Sequence, residues 1–165
     1  MALVDALLPE FDHEISTTRK VLERMPDDRL TWKPHTRSMS LGGLATHLSN
    51  IPWWGEVTLA HSEFDTAAVG TQPEGTSRAQ ILETFDRNAS KTRALLSGTS
   101  DAELMAPWAL KRDDQTIFSM PKAAVWRSFV LSHLVHHRGQ MSVYLRLLDV
   151  PVPSIYGPSA DEGQL

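Results

Sequence analysis

The sequence predicts an all-α protein, a four-helix bundle, on three observations. Four long stretches place apolar residues three and four positions apart, the period of a helix with one buried face. Clusters of proline, glycine and small polar residues interrupt the chain between them. Only Asp101 to Met120 alternates apolar with polar residues, so a short irregular or hairpin insert is expected before the last helix.

The first helix is carried by Leu7, Leu8, Phe11, Ile15, Val21, Leu22 and Met25, and Pro26-Asp27-Asp28 stops it. His13 lies off that stripe between Asp12 and Glu14 and reads as a solvated residue. From Asp27 to Met39 the chain is polar, with Trp32-Lys33-Pro34-His35, and is long enough to run along a bundle. His35 belongs to its surface. Ser40 caps the second helix. Leu41, Leu44, Leu48 and Ile51 mark the buried face, and His47 lies within it.

Gly42 and Gly43 weaken the first turn of that helix by roughly 1 kcal/mol each relative to alanine, but admit a close backbone. Pro52 is expected to kink the helix or break its hydrogen bonding. Trp53, Trp54, Val57 and Leu59 then continue it to about His61. Trp54, seven beyond His47, points the same way and could wall a pocket; Trp53 and Trp54 read equally well as core.

Glu63 to Thr76, with Gly70, Pro73 and Gly75, reads as a loop. Ser77-Arg78-Ala79-Gln80 resembles a capping box for the third helix. Ile81, Leu82, Phe85, Ala89, Thr92, Leu95 and Leu96 line its inner side, and Gly98 ends it. Glu83, Asp86, Arg87, Lys91 and Arg93 form a solvated face. Ser119 is read as the cap of the fourth helix, Met120-Pro121 as its first turn, and Leu148 as its end before Pro151. At about 1.5 Å per residue it would be about 40 Å long. The proline-rich tail, 150–159, is expected to pack on the bundle through Ile155 and Tyr156. The chain reads as one domain, 1–165, and its long first and third connections leave topologies other than simple up-down-up-down open.

Hydrophobic residues make up 41% of the 165 and charged residues 22%, an ordinary globular composition. A formal charge of -4 with no basic cluster disfavours a phosphate backbone as partner, so no nucleic acid is expected. No apolar run suits a membrane span, and Met1-Ala2-Leu3-Val4-Asp5 lacks the basic start of a signal peptide. The absence of cysteine removes disulfides and thiolate ligands and fits a reducing, cytoplasmic setting.

The chemistry concentrates in the last helix. His133 and His137 are four apart and so stack on one face, their Cβ atoms about 5–6 Å apart. Trp126, Phe129, Val130, His133, His137, Gln140 and Tyr144 follow steps of three or four, which sets the histidines in line with apolar residues, and His136 touches the same arc. Buried imidazoles need partners for both nitrogens. A cation shared by His47, His133 and His137 satisfies one nitrogen of each. Three imidazoles leave a coordination position open, the catalytic rather than the structural pattern. They suit Zn²⁺, Ni²⁺, Fe²⁺ or Cu²⁺ and not Mg²⁺ or Ca²⁺. An ion so held can acidify water and polarise a carbonyl or a thiol. Gln140 could orient a ligand ring, Asn50 could do so for His47, and Tyr144 stands beside the set; all three read equally as ordinary hydrogen-bonding residues. Arg138 is assigned to another, exposed face, as a surface or interface ion-pairing residue. No Gly-rich phosphate loop, Gly-x-Ser-x-Gly elbow or His-Glu-x-x-His motif is present.

His-Leu-Val-His-His-Arg-Gly-Gln at 133–140, Leu-Ala-Thr-His-Leu at 44–48 and Val-Pro-Ser-Ile-Tyr-Gly-Pro-Ser-Ala-Asp-Glu at 152–162 together resemble the DinB family, the damage-inducible, YfiT-like proteins. The resemblance covers nearly the whole chain. It implies a bundle of up-down-down-up topology, a metal held by His47, His133 and His137, and frequent homodimers. Related branches include S-transferases and isomerases that use bacillithiol or mycothiol, and proteins labelled metal-dependent hydrolases.

Three functions follow as expectations. In the first, a divalent metal (Zn, Ni or Fe) activates water, hydrolase-fashion, or a low-molecular-weight thiol for attack on a small-molecule substrate. The second is a stress-response protein that holds metal without turnover. The third is a metal-free helical interaction module with the histidines as core.

Overall fold

The computed structural model describes residues 2–68 and 73–163. Six α-helices appear in chain order: α1 (Leu3–Glu23), α2 (Leu41–Ala60), α3 (Arg78–Ser97), α4 (Asp101–Met105), α5 (Lys122–Val125) and α6 (His133–Leu147). A π-helical stretch, Trp126–Ser132, joins α5 to α6, so these three form the last long helix. Three short strands, β1 (Glu63–Asp65), β2 (Pro107–Arg112) and β3 (Gln115–Pro121), build a small sheet at one end.

Contacts between side chains fix the helix directions. Arg19 pairs with Asp86, and Arg93 with Asp12, so α1 and α3 are antiparallel. Asn88 donates to the Ser49 carbonyl and Thr92 to the Pro52 carbonyl, so α2 and α3 are parallel. Tyr144 reaches Met39 while His133 meets His47, so the last helix runs against α2. Arg127 pairs with Glu10 and Arg138 with Glu14, so it runs along α1. The bundle is therefore up-down-down-up, and α2 lies beside α6, where the histidines need it.

The main apolar core draws Val21 and Leu22 from α1 and Met25 just after it, Leu44 and Leu48 from α2, Phe85 from α3, and Leu134, Met141 and Leu145 from α6. The caps are local. The Ser40 hydroxyl accepts from Gly43 N–H and that of Ser77 from Gln80 N–H. The box at Ser77 is displaced by one residue, because Gln80 returns to Thr76 rather than to Ser77. Gly42 earns its place: its N–H donates to the Leu30 carbonyl at 2.8 Å, and a Cβ there would stand 3.1 Å from that oxygen.

α2 runs through Pro52 to Ala60, as expected. Several expectations are corrected. Ser119 caps nothing; it sits in β3 opposite Ala109, and helix resumes only at Lys122. The last long helix is not α-helical throughout, since seven residues ahead of His133 adopt the wider π form. The loop expected from Glu63 to Thr76 begins as β1, parallel to β2, and a 3₁₀ turn at Thr66–Ala68; Gly70 lies outside the described residues. The hairpin is present. Asp113 and Asp114 link β2 to β3 with φ of 50° and 63°, the left-handed pair that a two-residue turn of matching twist requires.

Arg138 is not a surface residue. It is 1% exposed, in line with Leu134, Met141 and Leu145 on the core stripe of α6. Glu14, itself 7% exposed, receives its charge at 2.7 Å. The guanidinium also donates to the Glu14 carbonyl, the Thr18 hydroxyl and Tyr156 Oη. Tyr156 in turn donates to the Glu14 carboxylate at 2.8 Å. A guanidinium can be buried when its donors find acceptors in this way. The tail is thus fastened to the bundle through Tyr156, as expected, and through ion pairs of Arg146 with Asp161 and Arg24 with Glu162.

Candidate metal centre

His47 stands on the face of α2 turned to α6, and His133 and His137 stand one turn apart on α6. His47 meets both other rings edge to face, with centroids 4.9 Å from His133 and 4.4 Å from His137, while His133 and His137 are tilted to each other at 4.7 Å. Each ring offers one nitrogen, and the three nitrogens lie within 4.8 Å of one another. Nε2 of His47 is 3.1 Å from Nε2 of His133. Two nitrogens bound tetrahedrally at about 2.0–2.1 Å from one ion stand about 3.3 Å apart. The spacing therefore suits a common cation.

The rings flank the core stripe rather than lie on it. Leu134, Arg138, Met141 and Leu145 are buried, whereas His47, His133 and His137 are each half-buried. Burial lowers all three imidazole pKa values. For His47 burial acts first, followed by the charge His137 and His133 would carry, and the value falls from 6.5 to about 4. Burial also dominates at His133, reinforced by His137 and opposed by a hydrogen bond with the Phe129 backbone. At His137 burial outweighs the opposing hydrogen bond that the ring donates to Gln140. At neutral pH the rings are uncharged, each with a lone pair to offer.

Gln140 meets the ring of His137. Its Oε1 lies 2.7 Å from His137 Nδ1, so that nitrogen carries the proton and Nε2 keeps the free pair. Its amide nitrogen reaches His136 Nε2 at 3.2 Å, which ties His136 to the centre through one intermediate residue. Asn50 and Tyr144 do not join the set. Asn50 donates to the Thr46 carbonyl and accepts from Asn88. Tyr144 donates to Met39 O and packs edge-on against Trp32, so it secures the first connection. His13 and His35 are exposed, as expected.

A cavity of about 280 Å³ opens beside His47 and His133. Trp54 walls it, as its seven-residue offset from His47 suggested. The hairpin supplies the opposite wall: Leu110 and Phe118 are cross-strand partners, and Trp108 shares their face two residues away. A bulge between Leu110 and Lys111 interrupts the ladder at this point. The alternation of Trp108, Leu110 and Phe118 with polar residues was the sequence signal for this wall; that it closes over the histidines is a tertiary fact.

The lowered pKa values set a pH dependence. An unfolded chain takes up these protons near 6.5, whereas the folded one resists until lower pH, near 4 for His47. The unfolded state thus binds more protons in that window, and stability rises with pH across it. Urea unfolding of metal-free protein should show stability level above pH 7 and falling as pH drops from about 6.5 towards 4. A flat profile through that window would contradict the buried neutral rings.

Among the described residues, no helix is long and apolar enough to cross a membrane. The uncharacterized protein YrdA of Bacillus subtilis (strain 168) is 27% identical over 160 residues, which cover 96% of this chain and 91% of that protein. The crystal structure of a DinB-like protein from Bacillus cereus ATCC 10987 matches with a TM-score of 0.73 at 25% identity, covering 92% of this chain and 97% of that one. A second DinB-like protein, YjoA of Bacillus subtilis, has the same fold, with a TM-score of 0.71 at 18% identity over 91% of this chain and 96% of that one. The family model described as DinB family matches residues 2–164, and the chain belongs to the DinB family.

Proposed function

We propose that the protein is a metal-dependent enzyme acting on a small molecule, with His47, His133 and His137 as ligands of one divalent transition ion. The observation that carries this reading is the set of three uncharged imidazoles converging beside an apolar cavity. A closed structural site would need a fourth protein ligand, and the described residues hold no such group within the cluster. When bound, the ion supplies Lewis acidity that activates water or a thiol and polarises a substrate carbonyl.

The residues of the chain do the rest. Gln140 holds His137 in the tautomer that presents Nε2. The two turns of α6 and the facing side of α2 fix the three rings on rigid elements. Trp54 and the hairpin keep water from one side of the centre and hold a substrate body against it.

Zinc, nickel or iron fits the donor set, and water and a low-molecular-weight thiol are the two nucleophiles it serves. The test is turnover. Protein purified without a histidine tag and loaded with each metal in turn is screened against esters, amides and thiol conjugates, with and without added thiol. Turnover that requires metal and is lost in His133→Ala supports the enzyme. Metal uptake with no turnover across the screen favours a protein that holds metal without catalysis.

A further inference from the structure

The cavity beside the histidines narrows what the centre acts on. Trp54, Trp108, Leu110, Phe118 and Phe129 make up most of its wall, and among the described residues no carboxylate or lysine lines it. Among the described lining residues Thr66 carries the one side-chain hydroxyl, and it already donates to the Lys111 carbonyl at 3.2 Å. A charged or strongly hydrated body placed there would lose its water with little in return. A flat apolar body would gain from aromatic faces and edges.

The aromatic wall is built before any ligand arrives. Phe118 stacks on Phe129 with centroids 5.2 Å apart and planes at 15°. Trp54 is held edge-on by Phe64 at 5.1 Å. Rings braced by other rings keep a slot open at small entropic cost on binding. Size bounds the occupant: a cavity of about 150 Å³ takes one benzene, and this one, at about 280 Å³, takes a body of one or two rings.

Trp108 adds a separate observation. It is 1% exposed, and its indole N–H has no acceptor among the described residues. Buried donors are nearly always paired, and an unpaired one is costly. A ligand oxygen reaching that N–H would supply the acceptor it lacks.

We infer that the centre takes small uncharged molecules with an aromatic or similarly flat apolar body, seated between Trp54 and the hairpin, and an oxygen acceptor that meets the Trp108 indole N–H. His47 and His133 form the polar end of the cavity, so the reacting group sits there. The reaction itself rests on the metal reading above; seating of the body does not.

The closing experiment therefore uses metal-free, full-length protein. NMR titration compares acetophenone, ethylbenzene (the same ring without the carbonyl) and N-acetylglycinamide, a polar molecule of similar size. Both aromatic probes should bind and the polar one should not. Leu110→Trp, which fills the slot while keeping a strand-favouring residue, should weaken both aromatics by at least about tenfold. Phe118→Gln serves as a second wall variant, and melting temperatures confirm which variants fold. Trp108→Phe trims the wall for both aromatics, but should weaken acetophenone by about twofold to tenfold more than it weakens ethylbenzene. The inference is overturned if N-acetylglycinamide binds as well as the aromatics, or if folded wall variants bind them normally; an equal effect of Trp108→Phe on both aromatics overturns the acceptor contact. Aromatic binding in a protein that takes up no metal would sink the metal reading alone. Metal uptake without aromatic binding would sink this one alone.

Discussion

Arg138→Met is expected to destabilise the metal-free protein by about 3–5 kcal/mol, because it strands the Glu14 carboxylate in the interior. The two side chains are 1% and 9% exposed, so neither can turn to water for relief. Glu14→Leu should cost a similar amount by stranding the guanidinium. The double variant should recover most of the loss, since an apolar pair of similar volume avoids both desolvation penalties. Tyr156→Phe removes a hydroxyl shared by both groups and should cost about 1–2 kcal/mol. Urea unfolding of the four proteins gives the cycle. Single-variant losses below about 1 kcal/mol would mean that the network is solvated rather than buried.

The second large effect concerns the histidines. Metal present at about a thousand times its dissociation constant stabilises the folded chain by about 4 kcal/mol, which for a protein of this size raises the melting temperature by about 8–16 °C. His133→Leu and His137→Leu should each abolish that rise. Without metal the same variants should match or exceed the parent in stability, because leucine has no nitrogen to leave unpaired. Gln140→Leu leaves the ligands in place but frees the His137 ring to rotate, and should weaken metal affinity by about 10–100-fold. A rise that survives in His133→Leu would place the metal elsewhere.

The contrast between these two sites shows what the sequence could reveal. The histidines were legible because a helix brings positions 133 and 137 together whatever else the fold does, and because His47 lies on a second apolar face. The caps at Ser40 and Ser77 and the close approach at Gly42 were legible for the same local reason. Arg138 was misplaced because its charge was weighed above its position. The steps Leu134, Arg138, Met141 and Leu145 trace the buried stripe, and the histidines lie beside it. Its partner Glu14 is 124 residues away, and Tyr156 comes from a tail with no periodicity to read.

Other features left no pattern in the chain. The π-helical register from Trp126 to Ser132 depends on which carbonyl each N–H selects. Such a shift leaves the run of apolar residues intact. β1 has three residues and exists because β2 lies alongside it. Asn50 has the right offset from His47, yet the Thr46 carbonyl one turn back and Asn88 of α3 take its amide instead.

On the proposed reading, residues 47, 133 and 137 hold one ion between them. Crystals of the protein grown with added zinc, nickel or iron, with anomalous data collected at each absorption edge, test it most directly. A single strong peak is expected about 2.0–2.1 Å from a nitrogen of each of the three rings, with at least one coordination position not filled by protein. Rings turned away from one another, or a peak bound by other residues, would contradict it.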